Sequence, residues 1–297
     1  MKLFYVVLLC AFFLLSCTKS NKNEKIINLS NTTILNEQVD LHHVKTFKVA
    51  ISAMMSPVQN YDVYKPFLKY LQDALSMQVK LTQRKTYLEV NDLIKDNKVN
   101  LAFICTGAYV YGDLKNKANV IAIPVVNNKI TYKAYIIVNK QSNINSIWDL
   151  KGKSFAFMDP LSNTGYFFPM DLFKQYGINP KTFFKSTSFT YSHTFSIEAV
   201  ANNIVSAASV DGIVYNYAIK HSPKLRKNTK ILIESPTFAM PPVVVPKQMD
   251  EKMQKKIQDI LLSMDKNSKG RKILKEIGVD KFILPPKNFY DSIYYFQ

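Results

Sequence analysis

The chain has 297 residues, with 39 lysines and arginines against 22 aspartates and glutamates, for a formal net charge of +17. The basic residues are scattered singly rather than clustered with aromatics, which argues against a nucleic-acid binder; surface solvation, an anionic surface or the steering of a small anion remain. Three cysteines, two of them among the first seventeen residues, supply no disulfide framework, so the domain must be held by its core.

Met1-Lys2 precedes an apolar run from Leu3 to Leu15 that ends in Ser16-Cys17, the pattern of a secretory leader rather than a spanning helix. Leu14-Leu15-Ser16-Cys17 resembles a bacterial lipobox, which implies a signal peptide over residues 1–16 and lipidation of Cys17; the alternative is an uncleaved anchor. Either places the chain outside the cytoplasm on a membrane. Residues 17–46 are polar and lack periodicity, and read as a flexible tether. His42-His43 lie in it with no further ligand nearby, so no metal site is expected there.

The remaining stretch of about 250 residues suits two lobes better than one small core. Strand-like runs are expected over Phe47–Ala53, Val79–Thr82, Leu101–Cys105, Val120–Val126, Ala134–Asn139, Ser154–Phe157, Asp211–Tyr215 and Ile231–Ser235. Helical runs are expected over Tyr64–Leu75, Leu88–Asn97, Met170–Tyr176, Ser196–Asn203 and Met249–Met264. That alternation predicts α/β lobes with largely parallel sheets and ligands at strand C-terminal ends.

One stretch has the pattern of an anion seat. Ser154-Phe155-Ala156-Phe157 reads as a buried strand, Asp159-Pro160 breaks it, and an apolar-periodic run from Tyr166 reads as a helix. The turn between points backbone N–H groups and a helix dipole at one spot, with Ser162, Asn163 and Thr164 as added donors. The same pattern also describes an ordinary helix cap.

Six segments in order resemble the phosphate/phosphite/phosphonate ABC-transporter substrate-binding lipoprotein family, over roughly Phe47 to the C-terminus. They are Tyr64-Lys65-Pro66-Phe67-Leu68-Lys69-Tyr70-Leu71; Leu101 through Tyr109; Tyr135-Ile136-Ile137-Val138-Asn139-Lys140 with Asp149-Leu150-Lys151-Gly152-Lys153; Asp159 through Gly165 with Pro169; Ser192-His193 ahead of Ala199-Val200-Ala201-Asn202; and Val210-Asp211. The resemblance implies a type II periplasmic-binding-protein fold, two α/β lobes with a hinged ligand cleft. It places the first lobe at residues 47–130 plus 236–297 and the second at 131–235. It also implies a small phosphorus-oxyanion ligand, a membrane ABC permease as partner, a monomer, and neither cofactor nor metal.

The resemblance carries site residues over one at a time. Ser162 and Thr164 are hydroxyl donors, and Asn163 stands where the family has a hydroxyl. Tyr87 and Tyr132 donate phenols, or else are core. His193 matches the signature histidine. Asp211 accepts a hydrogen bond from a protonated P–OH, which sulfate lacks near neutrality, or is simply a strand-end turn residue. Ser56 and Thr106 lie near the cleft at strand ends. The loop Thr237–Pro242 has no carboxylate to hold an amino group, which favours a small or alkyl-substituted oxyanion, and Tyr166, Phe167 and Phe168 are candidate walls for an apolar tail. Cys105 and His193 lack a base-orienting partner, so no enzyme is expected, and Cys105 reads as a small buried residue. The competing functions are a ligand-sensing module docking on a sensor kinase or chemoreceptor, and an adhesive lipoprotein with an inactive cleft.

Overall fold

The computed structural model describes residues 46–291. The expected leader, the expected lipidation site Cys17 and most of the expected tether, His42-His43 among them, lie outside the described residues.

Strand β1 (Thr46–Ile51) leads to α1 (Pro57–Leu75), capped by the Ser56 hydroxyl, which accepts from the Gln59 N–H at 3.4 Å. Pro66 lies inside α1, and Phe67, Leu68, Leu71 and Leu75 form its buried stripe. After β2 (Gln78–Thr82), Thr86 and Glu89 close a reciprocal capping box that starts α2 (Tyr87–Lys95). Then come β3 (Leu101–Phe103), α3 (Thr106–Tyr111) and β4 (Ala118–Val125). The chain crosses over through β5 (Thr131–Tyr132) and continues as β6 (Ala134–Asn139) and β7 (Ser154–Phe157). A π-helical turn (Asn163–Phe167) runs into α4 (Phe168–Gln175), followed by a short α5 (Pro180–Phe183) and β8 (Ser186–Phe189). Next are α6 (His193–Ala201), β9 (Ala207–Asp211), α7 (Gly212–His221), α8 (Pro223–Asn228) and β10 (Thr229–Glu234). The return passes through β11 (Phe238–Ala239) to β12 (Val243–Pro246), α9 (Glu251–Leu262), α10 (Ser268–Glu276) and β13 (Lys281–Ile283).

Two sheets organise these elements into two α/β lobes. The first has the order β13-β4-β12-β3-β1-β2 and takes strands from both ends of the described chain; the second, β10-β6-β9-β7-β8, comes from its middle. The crossing segments pair side by side as β5 and β11, with Tyr132 opposite Phe238 and Thr131 opposite Ala239. Each sheet is mixed rather than largely parallel. β1 pairs in parallel with β2 and β3, and β7 with β8 and β9, but β4, β12 and β13 in one sheet and β6 and β10 in the other run antiparallel to their neighbours. The cause is the double crossing: one connection leaves the first lobe and the other returns, so the strands flanking them must run in opposite directions.

A second correction concerns residues 211–215, expected as a strand. The strand is β9, which ends at Asp211; the Asp211 carboxylate accepts from the N–H groups of Ile213 and Val214 at 2.7 and 3.2 Å and starts α7. The apolar pair Val214-Tyr215 belongs to that helix's buried face, because a short apolar run does not reveal its period.

Candidate functional site

Five predicted site residues stand at helix starts that follow strands. Tyr87 opens α2, Thr106 opens α3, His193 opens α6, and Ser162 and Asp211 cap the π-helical turn and α7. Strand C-terminal ends and helix N-termini therefore aim positive dipole ends at one region between the sheets.

The side chains there are buried and mostly uncharged. The Ser162 hydroxyl accepts from the Gly165 N–H at 2.9 Å, which leaves its own proton to donate. The Asn163 side-chain amide donates to the Tyr132 hydroxyl at 3.3 Å, and that phenol is also hydrogen-bonded to the Thr106 side chain. Thr106 is already committed, its hydroxyl donating to the Ala239 carbonyl at 2.9 Å. Thr164 is held by its backbone, whose carbonyl accepts from the Ser209 hydroxyl at 2.6 Å. Its own hydroxyl and that of Tyr87 are fully buried and have no hydrogen-bond partner among the described residues. An unpartnered buried hydroxyl costs about 1–3 kcal/mol, so both positions point to a polar ligand.

His193 accepts at Nδ1 from the Asp211 backbone N–H at 3.1 Å, and burial pushes its pKa down to about 3. A neutral ring that accepts at Nδ1 carries its hydrogen on Nε2, which makes it one more uncharged donor. Burial has the opposite effect on Asp211, pushing its pKa up to about 6 against the two N–H bonds at Oδ1. Burial raises the phenols of Tyr87 and Tyr132 well above their ordinary value, and Cys105 and Asp211 add to both shifts, so the four groups lie within electrostatic reach of one another. The Cys105 thiol goes up to about 11, mainly by burial, and stays protonated at neutral pH, which removes it as a nucleophile.

The two buried titrating groups make opposite contributions to stability. His193 stabilises the fold above pH 6.5, and that contribution is lost as pH falls towards 3, since the unfolded chain takes up the proton first. Asp211 does the reverse: its contribution is present below about pH 4 and is lost as pH rises through about 6. Between pH 4 and 6 the two slopes nearly cancel. Relative to the parent chain, His193→Asn should therefore gain unfolding free energy from pH 6 to 5, and Asp211→Asn should lose it, by at most about 1.4 kcal/mol per pH unit each. Urea unfolding at both pH values measures this; parallel profiles for the three proteins would contradict the burial of either group.

Several contributors escaped the sequence reading. Asp159 bridges the lobes: its carboxylate, with a pKa raised mainly by burial, accepts from the Tyr87 N–H at 3.0 Å and the Leu161 N–H at 2.8 Å. The Asn163 N–H reaches Cys105 Sγ at 3.5 Å, and the His193 N–H reaches the Met54 carbonyl at 3.0 Å. Gly107 is where the lobes approach most tightly, since a Cβ there would lie 2.5 Å from the Leu161 carbonyl oxygen and 2.7 Å from the Asn163 nitrogen. Asp159 was readable only as a strand breaker, while Gly107 was expected beside Thr106 and Tyr109 as a strand-end residue lining the pocket. Ser56 is a half-buried helix cap whose hydroxyl donates to Gln59 Oε1 at 3.1 Å. Tyr166 and Phe168 pack into the second lobe's core, and Phe167 stacks on Tyr111 with ring centroids 4.4 Å apart.

Residues 49–288 match the family described as ABC transporter, phosphonate, periplasmic substrate-binding protein. The chain belongs to this family. Among curated relatives, the phosphonates-binding periplasmic protein of Escherichia coli is 26% identical over 226 residues, covering 72% of this chain and 64% of that protein's length. A probable ABC transporter phosphite-binding protein of Prochlorococcus marinus is 24% identical over 253 residues, covering 80% of this chain and 85% of the relative. Among solved structures, a binding protein component of an ABC phosphonate transporter from Pseudomonas aeruginosa superposes with a TM-score of 0.77 at 23% identity, covering 82% of this chain and 83% of the other. The fold expected from the resemblance is thus the fold observed. Periplasmic binding proteins of this family carry substrate to a transporter and are not enzymes, in agreement with the sequence reading. The family is extracytoplasmic, and among the described residues no helix is long and apolar enough to cross a membrane.

Proposed function

We propose that this phosphonate-family binding protein captures a small phosphorus oxyanion (a phosphonate, phosphite or phosphate) between its lobes and delivers it to an ABC permease, anchored to the membrane as a monomer through a lipid on Cys17. The observation that carries the reading is that Tyr87 and Thr164 each bury an unpartnered hydroxyl, the first within electrostatic reach of Asp211, whose backbone N–H binds neutral His193, and the second beside Asn163, which donates to Tyr132. Ser162 supplies a further O–H donor. Uncharged donors suit a small anion whose charge is spread over several oxygens, and the ionised Asp211 then accepts the one proton such a ligand retains near neutrality. The relatives support the ligand class: one is named for phosphonates, one for phosphite, and a Prochlorococcus marinus protein with a TM-score of 0.76 to this chain was solved with methylphosphonate.

The test is calorimetric titration and thermal unfolding of the domain with methylphosphonate, phosphite, phosphate, aminoethylphosphonate and sulfate. A true ligand at 100 times its dissociation constant adds about 2.7 kcal/mol of stability. We expect binding of at least one phosphorus oxyanion and none of sulfate; no binding of any phosphorus oxyanion would end the proposal. Asp211→Asn should raise sulfate affinity at least tenfold relative to the phosphorus ligand, because the amide neither repels a full dianion nor requires a ligand proton. Unchanged selectivity in that variant would remove Asp211 from the discrimination.

A further inference from the structure

A cavity of about 290 Å³ shares Asp211 with the oxyanion seat. Met54, Tyr64 and Phe103 line it from the first lobe, Ile213 from the second, and Met240 and Pro241 from the returning connection. Asp211 is its one carboxylate among the described residues, and Lys220, exposed on α7, its one cation. Two residues join it to the seat. Asp211 forms part of its wall while also acting on Tyr87, Tyr132 and Cys105. Met54 lines it while packing on the cluster of Tyr87, Cys105 and Met158.

We infer that this cavity receives the carbon substituent of the bound oxyanion, so that the preferred ligand is a phosphonate or phosphate monoester with an apolar tail of several carbons. The inference rests on the phosphorus-oxyanion reading of the seat and extends it. Thioether, aromatic, aliphatic and proline side chains make up most of the wall, with Asn127, Asn216 and Tyr217 as further polar members, so most of the chamber offers water few partners. An ammonium on the substituent finds only Asp211, both of whose α7 N–H bonds fall on Oδ1, and meets Lys220 further along. Apolar groups placed in such a chamber leave water for a surface already shaped to receive them.

The experiment is a calorimetric series of methyl-, propyl-, hexyl-, phenyl- and aminoethylphosphonate on the domain, repeated on Val63→Trp. Val63 faces the chamber from α1, away from the seat. Affinity should rise by roughly fourfold per added methylene until the cavity is filled, and aminoethylphosphonate should bind more weakly than propylphosphonate. Val63→Trp should collapse the hexyl-to-methyl affinity ratio at least tenfold. The chamber assignment is overturned if methylphosphonate binds and longer tails bind equally or more weakly, or if the aminoethyl ligand is preferred. Failure of every phosphonate, methyl included, would instead bring down the reading of the seat and this inference with it. The wild-type series decides the matter even if the tryptophan variant does not fold.

Discussion

Replacing Tyr87 by Phe, or Thr164 by Val, is expected to stabilise the ligand-free protein while weakening ligand binding. Each substitution deletes a hydroxyl that is buried without a partner and leaves the side-chain shape nearly unchanged. In the free protein the deletion removes a desolvation cost, so unfolding should become harder by about 1 kcal/mol. In the complex it removes a donor from an anion that is itself desolvated, at about 1–3 kcal/mol, or roughly 5- to 150-fold in dissociation constant. The opposite signs are diagnostic. A hydroxyl that only packs in a core would give the stability gain with affinity unchanged, and a structurally required one would lose both. Ser162→Ala lacks this clean signature, because its oxygen also caps Gly165 and the variant forfeits a helix cap. Denaturation without ligand and calorimetry with it, on the same preparations, provide the comparison.

Gly107→Ala is expected to uncouple folding from ligand capture. The added methyl would meet backbone atoms of the facing lobe at 2.5 and 2.7 Å, and backbone cannot rotate aside as a side chain would. Within its own helix the substitution is favourable, since alanine is a better helix former than glycine. The strain therefore falls on lobe closure alone. The cross-lobe bonds from Tyr87 to Asp159 and from Asn163 to Cys105 lie beside the same contact and would be pulled apart together. With overpacking costing about 1–3 kcal/mol, affinity should drop about tenfold or more, and the unfolding midpoint without ligand should fall by less than that cost because the lobes can part to relieve it. Small-angle scattering at saturating ligand should show wild type more compact than the variant. Equal compaction and equal affinity would mean that the lobes close elsewhere.

Much of this protein was legible from local sequence. The α/β class, the strands around Phe47, Ala134 and Ser154, the helix starting near Leu88, the helix ending at Leu75 (though it starts at Pro57 rather than Tyr64), and the turn from Asp159 to Gly165 follow from periodicity and from proline, aspartate and serine chemistry that acts within a few residues. The ordered segments from Tyr64 to Asp211 pointed to the family, and several of them end at the strand C-termini that build the site. What local sequence could not supply was anything set by contacts across tens of residues. The direction of β4, β6, β10 and β12 depends on two connections crossing side by side. The helix after Asp211 is the exception, since its cause is local: the carboxylate caps N–H groups two and three residues on, a signal the short apolar run masked. Asp159 became a lobe-to-lobe acceptor only because Tyr87, 72 residues earlier, is brought against it. The same holds for electrostatics: His193 is neutral and Asp211 titrates near 6 because burial removes water from both, and burial is a property of the assembled lobes, not of either residue's neighbours in the chain.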